Sequence, residues 1–232
     1  MRHHRFSLLA RLSCMVVMLG FALENNHAKA ADMMVVTPGP TEGWNISPFA
    51  QAGEYRYQQV YAASLFGDIG PVRINALRFS SDNSGTYAAG INLRLNQTQV
   101  AVGALDPNLD ANINGSLTTV LQNPSFSLSV NGGDLTYRLI FDVSAASFIY
   151  NPSSGDNLLM DIIVTDGGNS GMAFARGGDT GKTSRAFTGW ADRLGLRTAI
   201  EFTTVPEPSQ ILMGFAAMVF LLAIKKWPLL SA

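Results

Sequence analysis

The sequence predicts an all-β chain: an antiparallel β-sandwich, jelly-roll-like ectodomain, flanked by an N-terminal signal helix and a C-terminal hydrophobic helix. Three observations carry this. Within residues 31–204 apolar side chains recur with period two, the strand period, rather than 3.6. Clusters of Asn, Asp, Ser and Gly interrupt these runs at near-regular intervals. No stretch of ten or more residues in that segment carries a helical stripe.

The elements follow in chain order. Arg2, His3, His4, Arg5 and Arg11 form a basic n-region, residues 12–23 an apolar h-region, and Ala28-Lys29-Ala30 a small-residue cleavage site before Ala31. That is the layout of a secretory signal peptide, so residues 1–30 are set aside from fold reasoning. Cys14 lies within the h-region, with Arg11 three residues upstream, a poor context for lipidation. Tyr55 and Tyr57 flank Arg56 in strand alternation. Ile91, Leu93 and Leu95 alternate with Asn92, Arg94 and Asn96; Phe126, Leu128 and Val130 with serines. Leu139, Phe141 and Val143 oppose Arg138, Ile140 and Asp142. Leu158, Met160, Ile162 and Val164 form an apolar set with Asp161 on the other face; Leu196, Ile200 and Phe202 face away from Arg197 and Glu201. One apolar and one polar face per strand predicts antiparallel sheets packed on one side. Turns are expected at 81–85, 131–134, 151–155 and 166–169, where Asn and Gly accept tight geometry. No fixed-length repeat suggests a propeller or solenoid.

Composition excludes whole classes of chemistry. Cys14 is the only cysteine, and His3, His4 and His27 all precede residue 31. The domain at 31–204 therefore has no Ser-His or Cys-His nucleophile, no Cys/His zinc site and no disulfide. Residues 31–205 carry ten Lys and Arg against fifteen Asp and Glu, a balance of −5, which argues against nucleic acid as a partner. No cofactor is expected.

The last segment, 205–232, is the most specific. Val205-Pro206-Glu207-Pro208-Ser209 precedes an unbroken apolar run at 211–224 and then Lys225-Lys226. The two prolines favour an extended segment that a protease can bind. As a helix, the run spans about 21 Å, short of a hydrocarbon core of about 30 Å, which suits a tail that resides in the membrane only until it is cut. Lys225 and Lys226 orient it by the positive-inside rule. The layout resembles the PEP-CTERM sorting signal of exported proteins in Gram-negative bacteria, with two lysines where members carry an Arg-rich cluster. The resemblance implies recognition of Pro206, Glu207 and Pro208 by an exosortase-type membrane protease, and a place on the cell surface or in an exopolysaccharide matrix. An ordinary uncut C-terminal anchor is the alternative. The segments 58–66, 74–79 and 148–161 are similar to the extracellular domain common in PEP-CTERM proteins, which implies a compartment and a fold class but no catalytic residues.

Several motifs call for weighing. Asp110-Ala111-Asn112-Ile113-Asn114-Gly115 matches the first half of a calcium loop, but the twelfth position, where a bidentate Glu is needed, is Leu121; an Asn/Gly-rich turn explains it better. Residues 177–183 (GGDTGKT) resemble a P-loop, yet Arg176 stands where the first Gly is required. Asp156 with Asp161, or Asp166 with Asp179, are the pairs from which a glycoside hydrolase would be built; turn aspartates are the plainer reading. Trp190, in a loop-like context, and Trp44 are candidates for stacking on sugar rings, against the commoner role of aromatics in packing. The leading expectation is a non-enzymatic exported surface or matrix protein, possessing no catalytic residue. Its rivals are a carbohydrate-binding module and, further back, a paired-carboxylate hydrolase.

Overall fold

Alternation becomes strand wherever one face of the chain finds an apolar partner sheet. The computed structural model describes residues 33–205 apart from 40, 46–47, 50–52, 82–83, 131–138 and 168–172. The signal-peptide residues Ala28, Ala30 and Ala31, the sorting residues from Pro206 onward, and Lys225 and Lys226 lie outside the described residues. Among the described residues no helix is long and apolar enough to cross a membrane. The longest helical piece there is a four-residue 3₁₀ turn, Leu109–Asn112.

The strands are β1 (Met33–Val36), β2 (Thr41–Asn45), β3 (Gly53–Tyr61), β4 (Val72–Phe79), β5 (Gly85–Thr98), β6 (Thr118–Val130) and β7 (Leu139–Asp142). They continue as β8 (Ile149–Tyr150), β9 (Asn157–Gly167), β10 (Phe174–Gly177), β11 (Thr183–Phe187), β12 (Trp190–Asp192) and β13 (Thr198–Thr204). The described residues are thus all-β, and every strand pair among them is antiparallel. One sheet has the order β1-β13-β4-β7, with β8 also on β4; a larger sheet runs β12-β11-β3-β9-β5-β6; β2 and β10 form a separate ribbon.

The two larger sheets share one apolar layer, a β-sandwich-like arrangement. Leu77, Phe79, Phe141, Ile200 and Phe202 of the smaller sheet belong to the same buried cluster as Tyr57, Leu93, Leu95, Met160, Ile162 and Val164 of the larger. Phe49 anchors it, edge-on to Phe79 and Phe174 and stacked on Phe141, with centroids at 4.9, 5.0 and 5.4 Å. Aromatic contacts of this kind add to area burial. Polar bonds also cross between sheets. Gln59 brackets the backbone of Leu196, accepting from its N–H at 2.7 Å and donating to its carbonyl at 3.1 Å. Thr198 Oγ1 donates to the Tyr61 hydroxyl at 3.1 Å.

Register shows how the larger sheet is used. On its core side one row crosses all six strands: Leu121, Leu93, Ile162, Tyr57, Phe187 and Trp190. The row beside it reads Leu95, Met160, Gln59, Arg185, Asp192, apolar at one end and charged at the other.

Three expectations change. The larger sheet is not packed on one side only. Residues 99–117 fold over part of its outer face, where Leu105 and Leu109 bury Val60, Leu159 and Ala186. Asp161, expected on an open polar face, is consequently fully buried. Asp166 and Gly167, expected in a turn, continue β9. The 151–155 turn is as expected: Asn151 Oδ1 caps the 3₁₀ turn by accepting from the Ser153 N–H, and Gly155 takes φ 83°.

Leu93 is fully buried at the centre of the core row, whereas Arg73 is exposed. Leu93→Ala is expected to lower the unfolding free energy by about 2–5 kcal/mol, and Arg73→Ala by about 0.5 kcal/mol or less, in urea melts of the two variants.

Candidate functional site

The open end of the core row forms the best-built surface site. Phe187 closes β11 and Trp190 opens β12; the two residues between them make the tight turn, with Gly189 at φ 79°, a value that favours glycine. The turn sets Phe187 and Trp190 directly opposite each other, their ring centroids 4.9 Å apart at 45°. Tyr55 lies 5.9 Å behind Phe187. The Arg185 guanidinium stands 5.6 Å from the Phe187 ring and 5.7 Å from that of Trp190, within cation–π range. Its Nε and Nη2 both donate to Asp192, Nη2 to Oδ2 at 2.9 Å. Asp192 Oδ1 also accepts from the Leu194 N–H at 2.6 Å, tying the strand end down. Arg185 is 2 % exposed and Trp190 47 %. An exposed indole is thus held by a buried, forked ion pair, a preorganised apolar face with little rotamer freedom left to lose. Trp190 sits on a strand rather than in the loop expected for it. Trp44 lies on β2, its backbone opposite Ala175 of β10, away from this edge.

The other candidates are absorbed by structure. The Asn112 amide is buried: Oδ1 accepts from the Asp106 N–H at 2.7 Å, while Nδ2 donates to Gln58 Oε1 and to the Asp106 carbonyl, both at 2.9 Å. The Asn114 carbonyl accepts from Asn96 at 2.8 Å. Asp110 accepts from Arg56 Nη1 at 2.6 Å. The 110–115 segment therefore spends its polar groups on pinning residues 99–117 to the sheet. Among the described residues no group of three or more His, Cys, Asp and Glu is placed to hold a metal ion. The GGDTGKT segment joins β10 to β11, strand to strand, with no helix N-terminus to receive phosphate; Lys182 Nζ donates to Ser64 Oγ at 2.8 Å.

Asp161 is the centre of an ion network. It accepts from Arg56 Nε and Nη2 at 3.0 and 2.8 Å and from Arg94 Nη2 at 2.6 Å. Asp156 precedes it by five residues, roughly 16 Å of extended chain, beyond the spacing of a glycosidase pair. Asp179 is half exposed, 4.0 Å from Arg193, and the side chain of Asp166 lies outside the described residues. Burial pushes the phenols of Tyr57, Tyr61 and Tyr150 well above their ordinary range. The chain order hid the convergence of Tyr55, Arg185, Phe187 and Asp192, because pairing brings together positions more than 100 residues apart. The Thr188-Gly189 dipeptide between two aromatics was the one local signal of a hairpin.

Arg56 holds the Asp110 carboxyl below the usual range, first by its hydrogen bond and then by its charge. A depressed folded-state value means stability present above about pH 4 and lost as pH falls through that lower value. Asp110→Asn is expected to flatten this acid limb, read from unfolding midpoints across an acid series, with an Asp110 NMR titration midpoint below the ordinary one in the parent. Trp190→Ala is expected to change the unfolding free energy by about 1 kcal/mol or less, against about 2–3 kcal/mol for Phe187→Ala. Compared with known protein families, curated proteins and solved structures, the chain matches none of them.

Proposed function

We propose that this chain is an exported, non-enzymatic protein of the cell surface or extracellular matrix, associated with exopolysaccharide. Its N-terminal signal exports it, and its PEP-CTERM-like tail delivers it to an exosortase-type membrane protease. The observation that supports the reading is where the last described strand stops. β13 stops at Thr204, and the Val205 N–H is held by the Pro71 carbonyl at 2.8 Å. Pro206-Glu207-Pro208 begins at the next residue. A protease acting there removes the apolar run at 211–224 without cutting a strand of the domain.

The strand order supports a jelly-roll form of the sandwich. In chain order β1, β3, β4, β5, β6, β7, β9 and β13 pass between the sheets so that first and last strands lie side by side, giving β1-β13-β4-β7 against β3-β9-β5-β6. That is the double Greek-key path of jelly rolls, an architecture that includes lectin domains, although fold alone assigns no function.

A second reading, a carbohydrate-binding module of the matrix, is favoured by Trp190. Its exposed face, backed by Phe187 and Arg185, has the geometry on which the C–H face of a sugar ring stacks.

The protein recovered from its native host is expected to have an intact mass running from near Ala31 to near Pro206–Pro208; a mass retaining residues 211–232 makes it an anchored protein and removes the sorting reading. On the second reading it is retained by the host's own polysaccharide, and Trp190→Ala abolishes retention.

A further inference from the structure

The outer face of the larger sheet carries a second surface that neither aromatic stacking nor the ion network uses. The loop at 99–117 covers only part of that face. Beyond it a recess of about 250 Å³ opens around Gly90, Asn92, Gln122, Pro124, Ile163 and Thr165.

The recess is built by backbone irregularity. The register between β5 and β6 shifts between Ala89 and Ile91, where Pro124 and Ser125 of β6 bulge opposite the single residue Gly90. Bulges of this kind re-aim side chains and concentrate beside binding sites. Gly90 keeps the floor open: a Cβ there would meet Thr165 Oγ1 at 2.1 Å, so the Thr165 side chain would have to turn away. Across the floor Gln122, Asn92 and Ile163 stand in one register row. The Asn92 Oδ1 is buried and has no hydrogen-bond partner among the described residues. A buried acceptor left in that state is costly, and such exceptions call for an explanation. A donor brought by a ligand supplies one.

The lining specifies the ligand. It offers two carboxamides, a hydroxyl and the apolar surfaces of Pro124 and Ile163, and no charge. Arg56 and Arg94, on the strands that flank Asp161, are both committed to that carboxylate, Arg56 through two nitrogens and Arg94 through Nη2. We propose that this recess binds one neutral hexose unit of a polysaccharide. A sugar hydroxyl donates to Asn92 Oδ1, Gln122 and Thr165 bond neighbouring hydroxyls, and Pro124 and Ile163 underlie the C–H face. The inference rests on the carbohydrate reading above for its ligand class, but on different residues, on the opposite face of the sheet from Trp190.

The test is calorimetric titration of the full chain, held in a detergent without a sugar headgroup, with cellohexaose and with maltohexaose. At least one hexasaccharide is expected to bind Trp190→Ala. Asn92→Ala and, separately, Gln122→Ala in that background are each expected to weaken binding about fivefold or more. Asn92→Ala should leave the melting temperature unchanged or raise it, since it deletes an unpaired buried acceptor, and Gln122 is exposed, so loss of fold is not the cause of lost binding. Binding by the parent that vanishes in Trp190→Ala alone overturns the recess and leaves the aromatic edge standing. Unchanged affinity in both recess variants overturns it as well. No heat from the parent with either sugar overturns the recess and the carbohydrate reading together.

Discussion

Asp161 sits in the middle strand of the larger sheet with its side chain fully buried, and a carboxylate tolerates that only with partners. Arg56 from one flanking strand and Arg94 from the other meet it, and Arg56 passes its remaining Nη1 to Asp110 on the 99–117 loop. Around this centre Gln58 donates to the Leu109 carbonyl and accepts from Asn112, and Leu105 and Leu109 cover Val60. The loop therefore owes its seat to one buried charge and its two arginines. With no cysteine after residue 14, no covalent staple shares that task. Removing the carboxylate would leave two guanidinium groups facing each other under the loop, which would then rest on the Gln58, Asn96 and Asp110 bonds and on Leu105 and Leu109 alone. The network also marks where the cover stops, and so leaves the row at Gln122, Asn92 and Ile163 accessible.

Much of the fold was legible because burial on one face imposes period two. Ile91, Leu93 and Leu95, and Leu158, Met160, Ile162 and Val164, face the core as their alternation requires. What the sequence could not convey is which polar faces are covered. Asn92, Arg94 and Asn96 alternate as a solvated face would, yet the loop that follows β5 folds back to bury Asn96 and leaves Asn92 at an open recess. Likewise Trp190 stood out as a residue, but the surface behind it is assembled from β3, β11 and β12 by register. Side-chain type announces a candidate; only pairing shows what supports it.

The charged groups divide by role. Asp110, Asp161, Asp192, Arg56, Arg94 and Arg185 all serve structure, fixing a loop or a strand end. The surfaces left over are the indole edge and the uncharged recess, both better suited to holding a neutral polymer than to moving protons.

The borders of the sheets bear on how such a chain behaves at high local concentration. An exposed strand edge is a template for another copy. Here β12, β1 and β7 are edge strands of only three or four residues. Among the described residues the longest edge strand, β6, is broken by Pro124 and by two register shifts. Short or interrupted edges of this kind disfavour the addition of strand to strand into fibrils.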